Sequence, residues 1–296
     1  MFVLLDGGMG RELQRIGAPF SQPLWSAQAL IEAPDFVYQA HENFIDAGCD
    51  VITVNSYACV PFHLGDERYQ QQGFALAQLA AEIARRAADD SEREVRVAGC
   101  IPPAMGSYRP DLFDALKAAP IIKTLIDAQA DYVDFWLAET ISAIEEFRTV
   151  NQALALSALP AYYAFSLMDT EVDQPRLRSG EPVIEAIQAA CESGVDGILF
   201  NCSQPEVMLD AIGVAKHVID QYGAEISLGA YANGFTVISH DHEANDSLTT
   251  VRDLTADQYA AFVKAWLDAG SNIIGGCCAI FPEHIAYLDA LRKTSR

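Results

Sequence analysis

Near the end of this 296-residue chain an apolar run, Asn272-Ile273-Ile274, reaches two glycines and then two adjacent cysteines, Cys277 and Cys278. Neighbouring cysteines do not readily bridge each other, because a disulfide requires a particular Cα separation and Cβ direction. Two thiolates can instead share one soft metal ion. Zinc takes four ligands, and a catalytic zinc usually has three from protein, so the pair needs a distant third. Cys202, in Gly197-Ile198-Leu199-Phe200-Asn201-Cys202, is the best candidate, since it too ends a short apolar run. Among the remaining cysteines, Cys49 and Cys191 fall at helix ends and read as core, while Cys59 and Cys100 sit nearer the candidate site as bystanders. Against the metal stands a plainer reading, in which these thiols are small buried hydrophobes.

Thiols this far apart in sequence must be gathered by the fold. Short apolar runs recur at Phe2–Leu5, Asp50–Val54, Val95–Gly99, Tyr132–Leu137, Ala161–Leu167, Gly197–Phe200, Ile226–Ala230 and Asn272–Gly275. Helical spacing of apolar residues fills the intervals, as in Gln70–Ala88, Ile141–Leu156, Glu206–Gln221, Ala256–Ala269 and His284–Leu291. Gly48, Gly194 and Gly270 stand where a helix must close and turn back toward a strand, a place suited to a left-handed residue. Eight such units predict an α/β fold, a (β/α)8 TIM-type barrel forming a single domain over residues 1–296; a doubly wound open sheet is the alternative. In a barrel the active site lies at the C-terminal ends of the strands. Those ends carry Asp6-Gly7-Gly8-Met9-Gly10, Asn55-Ser56-Tyr57, Cys100, Glu139-Thr140, Asn201-Cys202, Tyr231-Ala232-Asn233 and Gly276-Cys277-Cys278. Two longer loops, 168–181 with Asp169, Glu171 and Asp173 and 233–253 with His240-Asp241-His242, read either as lids over that mouth or as solvated surface.

The bulk composition narrows the partners. Nineteen Lys and Arg against 41 Asp and Glu give a formal charge of −22, which disfavours nucleic acid and anionic membranes and suits a cationic small molecule. No apolar run has transmembrane length, and Phe2–Leu5 is too short for a targeting segment. Seven cysteines, an odd number outside any small disulfide framework, imply a reducing cytoplasm. Oligomeric state is not legible.

Several phrases together resemble the homocysteine S-methyltransferase family: Leu4-Leu5-Asp6-Gly7-Gly8-Met9-Gly10-Arg11-Glu12-Leu13, Leu24-Trp25-Ser26-Ala27, Leu137-Ala138-Glu139-Thr140, Asn201-Cys202, and Gly275-Gly276-Cys277-Cys278 followed by Pro282-Glu283-His284-Ile285. They stand in the family's order and span essentially the whole chain. The resemblance implies a (β/α)8 barrel holding one zinc ion through Cys202, Cys277 and Cys278. It assigns Asp6 and Glu139 to the ammonium of homocysteine, with N–H groups of the Gly7-Gly8 turn open to its carboxylate. Asn201 is expected to orient metal or substrate, and Tyr57 to face the metal when substrate is absent. Read alone, Asp6 is a turn or cap residue and Glu139 a solvated strand end.

The expected chemistry follows from the thiol. A free thiol with a pKa of about 8.5 is mostly protonated at neutral pH, and zinc coordination removes that proton and orients the sulfur. In-line attack on a methyl group carried by a positive centre expels a neutral leaving group, so no general acid is demanded. Members using methylfolate with cobalamin carry further domains, and betaine users carry a C-terminal extension. The compact form resembles enzymes that take the methyl group from S-methylmethionine, sometimes S-adenosylmethionine, and yield methionine. Departures at Ala279-Ile280-Phe281, at Phe200 and at Tyr231-Ala232-Asn233-Gly234-Phe235 leave the donor and the acceptor, homocysteine or another small thiol or selenol, open. Two other readings are a zinc hydrolase, for which the six histidines form no recognisable pattern, and a non-catalytic barrel that binds an amino acid or a metal.

Overall fold

The computed structural model describes residues 2–169, 173–236 and 250–294. The eight expected runs form strands: β1 (Val3–Leu4), β2 (Val51–Thr53), β3 (Arg96–Ile101), β4 (Phe135–Ile141), β5 (Ala161–Phe165), β6 (Gly197–Asn201), β7 (Ser227–Tyr231) and β8 (Ile273–Ile274). All pairings between them are parallel, in the order β1-β8-β7-β6-β5-β4-β3-β2. A bridge between Leu5 and Val51 joins the two ends, and Asp50 seals the seam by donating its N–H to Leu4 O (2.7 Å) and accepting from Leu4 N (2.9 Å). The result is a (β/α)8 barrel.

Helices α1 (Met9–Arg15), α2 (Ala27–Glu32), α3 (Pro34–Asp46), α4 (Pro61–Leu64), α5 (Asp66–Asp89), α6 (Ala115–Gln129), α7 (Ile144–Leu154), α8 (Val183–Ser193), α9 (Pro205–Tyr222), α10 (Ala256–Asp268) and α11 (Pro282–Thr294) lie outside the strands. Their apolar faces and the outward faces of the strands share one large core, in which Trp136, Trp266, Phe44 and Phe147 are fully buried. A second, smaller cluster fills the barrel: Leu5, Val51, Ala98, Phe135, Leu137, Ala164, Leu199, Tyr231 and Ile273. Each such large apolar side chain contributes about 1.5–3 kcal/mol by leaving water. Gly48, Gly194 and Gly270 have φ of 103°, 66° and 109°, the left-handed turn expected of them.

The main departure is β4. The run expected at Tyr132–Leu137 becomes Phe135–Ile141, because Tyr132 still belongs to the turn after α6 and Asp134 takes the N–H of Val97 with its carboxylate (2.6 Å). Ile141, expected to open a helix, pairs with Phe165, and the register slips between Ala138 and Ile141. Glu139 and Thr140 therefore form a bulge inside the strand. Bulges re-aim side chains at the rims of barrels.

The loop after β5 is also unlike a solvated surface at its start. Asp169 is buried and ion-paired to buried Arg178 (2.9 Å), and Leu167 makes an antiparallel bridge to Leu177. Asp173 is exposed, while Glu171 and His240-Asp241-His242 lie outside the described residues. No helix among the described residues is long and apolar enough to cross a membrane.

Candidate functional site

Three sulfurs meet at the C-terminal mouth of the barrel. Cys202 follows β6 directly, with φ of 47° and its N–H donated to Tyr231 O (3.3 Å) on the neighbouring strand. After β8 the chain passes through Gly275 and Gly276, where a Cβ would lie 2.6 Å from Leu5 Cβ and 2.2 Å from Ile280 Cγ2. Only glycine lets the cysteine turn nest this tightly. Gly276 N–H then bonds to Asp6 O (2.9 Å) and Cys277 N–H to Ala232 O (2.9 Å), pinning the pair between the ends of β1 and β7.

The ligating atoms of Cys202, Cys277 and Cys278 all lie within 4.8 Å of one another. Sulfurs bound about 2.3 Å from a tetrahedral ion are about 3.8 Å apart, so a small contraction closes the cluster on a metal. Its electrostatics fit as well. Hydrogen bonds from Cys277 and then Cys278 push the Cys202 thiol well below its usual range, while those same contacts push Cys277 and Cys278 up. One negative charge is readily held by three sulfurs, and the second and third need a cation. A thiophilic dication would supply it.

The thiols form one wall of a cavity, open to solvent, that is also lined by Asp6, Glu139, Tyr57, Tyr108, Trp25 and Phe235. Asp6 is buried and accepts from Thr53 N (2.7 Å) and Thr53 Oγ1 (3.0 Å). Glu139, turned inward by the β4 bulge, accepts from Cys100 Sγ (3.1 Å) and Tyr231 OH (3.2 Å). Desolvation is the largest influence on both and raises each carboxyl to about 7, the facing charge of Glu139 adding to the rise at Asp6. Two poorly solvated acids on one cavity, one of which raises the other, would both ionise more readily with a cation placed between them.

Other expected residues have clear local partners. Gly7 and Gly8 line the cavity, but the N–H of Gly8 is already given to Ile280 O (2.9 Å). Asn201 does not line the cavity; its amide accepts from Thr140 N (2.9 Å) and donates to Thr140 Oγ1 (3.0 Å), which holds the bulge carrying Glu139. The Tyr57 hydroxyl is paired with Ser107 Oγ at 2.5 Å. The tyrosine that meets the sulfur cluster is Tyr108, whose hydroxyl donates to Cys202 Sγ at 2.8 Å. Neither Tyr108 nor Thr53 carries a sequence signal of its role. Cys100, expected as a bystander, touches Glu139 instead of the other thiols, and Cys59 is fully buried. Cys49 is core as expected, whereas Cys191 is only half-buried.

Backbone strain converges on the same place. The non-glycine residues with positive φ among the described residues are Trp25 (50°), Tyr108 (64°), Thr140 (61°), Cys202 (47°) and Ala279 (62°). Three line the cavity, and Thr140 and Ala279 directly follow Glu139 and Cys278. Such conformations cost about 1–3 kcal/mol each and persist where surrounding structure enforces them, characteristically at functional sites.

The family model for homocysteine S-methyltransferase matches residues 3–291. A selenocysteine methyltransferase of Astragalus bisulcatus is 26% identical over 95% of this chain and 90% of its own length. A homocysteine S-methyltransferase of Escherichia coli is 27% identical over 97% of this chain and 94% of its own. The crystal structure of the metallated form of the Escherichia coli homocysteine methyltransferase MmuM superposes with a TM-score of 0.77 and 26% identity, covering 98% of this chain and 96% of that one. With matched motifs, a shared barrel and a model match along nearly its whole length, the chain belongs to the homocysteine S-methyltransferase family.

Proposed function

We propose that this protein is a zinc-dependent methyltransferase that moves a methyl group from a sulfonium donor, S-methylmethionine and in some settings S-adenosylmethionine, to the thiol of homocysteine to give methionine. The observation that carries the reading is the convergence of three thiols on one wall of a cavity that also holds the buried carboxyl of Asp6 and the half-buried one of Glu139. Cys202, Cys277 and Cys278 would hold one zinc ion, which would supply the Lewis acidity that lets the acceptor thiol lose its proton at neutral pH.

The chain's own residues do the rest. Asp6 and Glu139 bind the acceptor's ammonium group, and that positive charge favours ionisation of both. Thr53 orients the first carboxylate, and Cys100 with Tyr231 orients the second. The Gly7-Gly8 turn lies against the cysteine pair and can approach the substrate's backbone end with N–H groups other than that of Gly8. Trp25, Tyr57 and Phe235 offer aromatic faces to a cationic donor, an arrangement suited to a sulfonium. The methyl carbon leaves the donor sulfur with its bonding pair staying behind as a neutral thioether, while the new carbon–sulfur bond forms to the acceptor. Holding the two reactants in line is the main demand.

Likeness to the selenocysteine methyltransferases of Astragalus bisulcatus and Brassica oleracea favours a second acceptor, a small selenol. The test is zinc content of the purified protein together with methionine formation from homocysteine and S-methylmethionine, with and without a chelator, and with selenocysteine in parallel. One zinc per chain and chelator-sensitive methionine are expected. Turnover that survives complete zinc removal refutes the metal's role, and zinc without turnover on either acceptor refutes the proposed reaction.

A further inference from the structure

The cysteine cluster has a support that the sequence motifs do not contain. Tyr108, in the segment after β3, directs its hydroxyl at Cys202 Sγ (2.8 Å), and its backbone is held at φ of 64° to do so. The guanidinium of Arg178 lies over the face of the Tyr108 ring, 4.9 Å from its centroid. Arg178 is itself fixed by buried Asp169 through Nη2 (2.9 Å) and by Ser166 Oγ through Nε (3.4 Å). The other oxygen of Asp169 accepts the N–H of Gln204, two residues beyond Cys202 (2.9 Å). Ser203, between them, donates to Leu167 O and accepts from Leu167 N. Leu167, Asp169 and Arg178 of the segment after β5 thus hold the Cys202 turn and seat the tyrosine that meets its sulfur.

We infer that Tyr108 is a positioning residue for the metal centre: its hydroxyl, seated by the Arg178–Asp169 pair, donates a hydrogen bond to the Cys202 sulfur and sets how strongly that sulfur donates to the bound ion. This rests on Cys202 being a metal ligand, as proposed above. A hydrogen bond to a ligating thiolate withdraws electron density and fixes the direction of its lone pairs. Groups placed in this way around a metal are commonly worth about 10–100-fold in metal affinity. The arginine has a distinct part, because its flat face and fork let it stack on the ring and pair with the carboxylate at once, which lysine cannot do.

The experiment loads wild type, Tyr108→Phe, Arg178→Lys and, as a remote control, Tyr132→Phe with cobalt(II) under reducing, oxygen-free conditions and records the sulfur-to-cobalt charge-transfer band, with zinc affinity measured against a chromogenic chelator. Tyr108→Phe is expected to move the band to lower energy, since an unbonded sulfur gives up its electron more easily, and to weaken zinc binding about tenfold. Arg178→Lys should shift the band the same way by less, which keeps the readout available if the phenylalanine variant does not fold. Tyr132→Phe should leave the band in place, because that hydroxyl donates to Glu82 (2.9 Å), away from the cysteines. A wild-type band and wild-type affinity in Tyr108→Phe overturn the inference, as does an equal shift in Tyr132→Phe. Absence of any sulfur-to-cobalt band in the wild type overturns the metal site itself.

Discussion

Gly8 packs so closely against the cysteine turn that one added methyl group should separate a metal-binding turn from a displaced one. A Cβ at residue 8 would lie 2.7 Å from Cys277 O, 3.0 Å from Cys278 Cα and 3.1 Å from Ala279 N, all of them backbone atoms. Ordinary contact at such a position begins at 3.4 Å, so the turn must retreat by roughly 0.7 Å or α1 must move away from it. Neither yields freely, because Gly8 N–H is bonded to Ile280 O and Cys277 N–H to Ala232 O. Overpacking of this kind costs about 1–3 kcal/mol. Metal–ligand distances tolerate only about 0.2 Å, so much of that cost should fall on the site. Gly8→Ala is expected to lose about 10–100-fold in zinc affinity, or about 1.4–2.7 kcal/mol. Competition against a chromogenic chelator reads the affinity directly. Thermal melts with and without zinc read it again, since the stabilisation that zinc confers shrinks by the same amount. Gly7→Ala is the contrast: its Cβ meets Ile280 O at 2.3 Å and Phe44 Cε1 at 2.7 Å, so it should destabilise the metal-free protein first. Wild-type zinc affinity in Gly8→Ala would refute the packing argument.

Alanine at Cys202, Cys277 or Cys278 leaves two thiols, and zinc retention at neutral pH should be lost or severely reduced; a full zinc complement in all three variants excludes this cluster as the metal site. Acceptor binding should strengthen as pH rises through about 7, where the carboxyls of buried Asp6 and half-buried Glu139 ionise against the ammonium group. In Glu139→Gln the KM for homocysteine should rise about 10–100-fold, the worth of a charged hydrogen bond of about 1.5–3 kcal/mol, with a shallower pH profile; an unchanged KM at pH 8 sinks the assignment. The same substitution tests stability with the opposite sign. Glu139 has its carboxyl raised from 4.5 to about 7 in the folded protein, so the protonated acid stabilises the fold below about pH 4.5 and that stability is lost as pH rises through about 7. His41, buried in α3 and lowered by desolvation from 6.5 to about 3, costs stability as pH falls below 6.5 because only the unfolded chain accepts its proton there. Urea titrations of His41→Leu between pH 7 and 4 should show a smaller loss of stability on acidification than wild type, and parallel losses would refute the assignment.

The barrel was legible because its determinants are local and repeated. Apolar runs, helical spacing and closing glycines such as Gly48, Gly194 and Gly270 report burial and backbone preference residue by residue, and the eight strands and the position of the cysteines at strand ends follow from them. Asp6, Glu139 and the three thiols were recognisable as candidates from their types and neighbouring motifs. The boundaries of β4 were not, since the bulge at Glu139 and Thr140 is held by Asn201, sixty-one positions from Thr140, and no local pattern encodes that bond. Likewise the loop after β5 reads as polar surface, yet Asp169 is buried because Arg178 and the N–H of Gln204 satisfy it. Tyr108 stands in a segment with no periodicity at all, ninety-four residues from the sulfur it touches. Which residues could do chemistry, and that a parallel barrel would carry them to one mouth, could be read from the chain alone, because side-chain type and strand periodicity are properties of short stretches. Only the tertiary structure decided that two carboxyls face each other, that Gly8 and Cys277 share one space, and that a tyrosine reaches Cys202. Those are relations of distance between remote segments, and chain closure alone creates them.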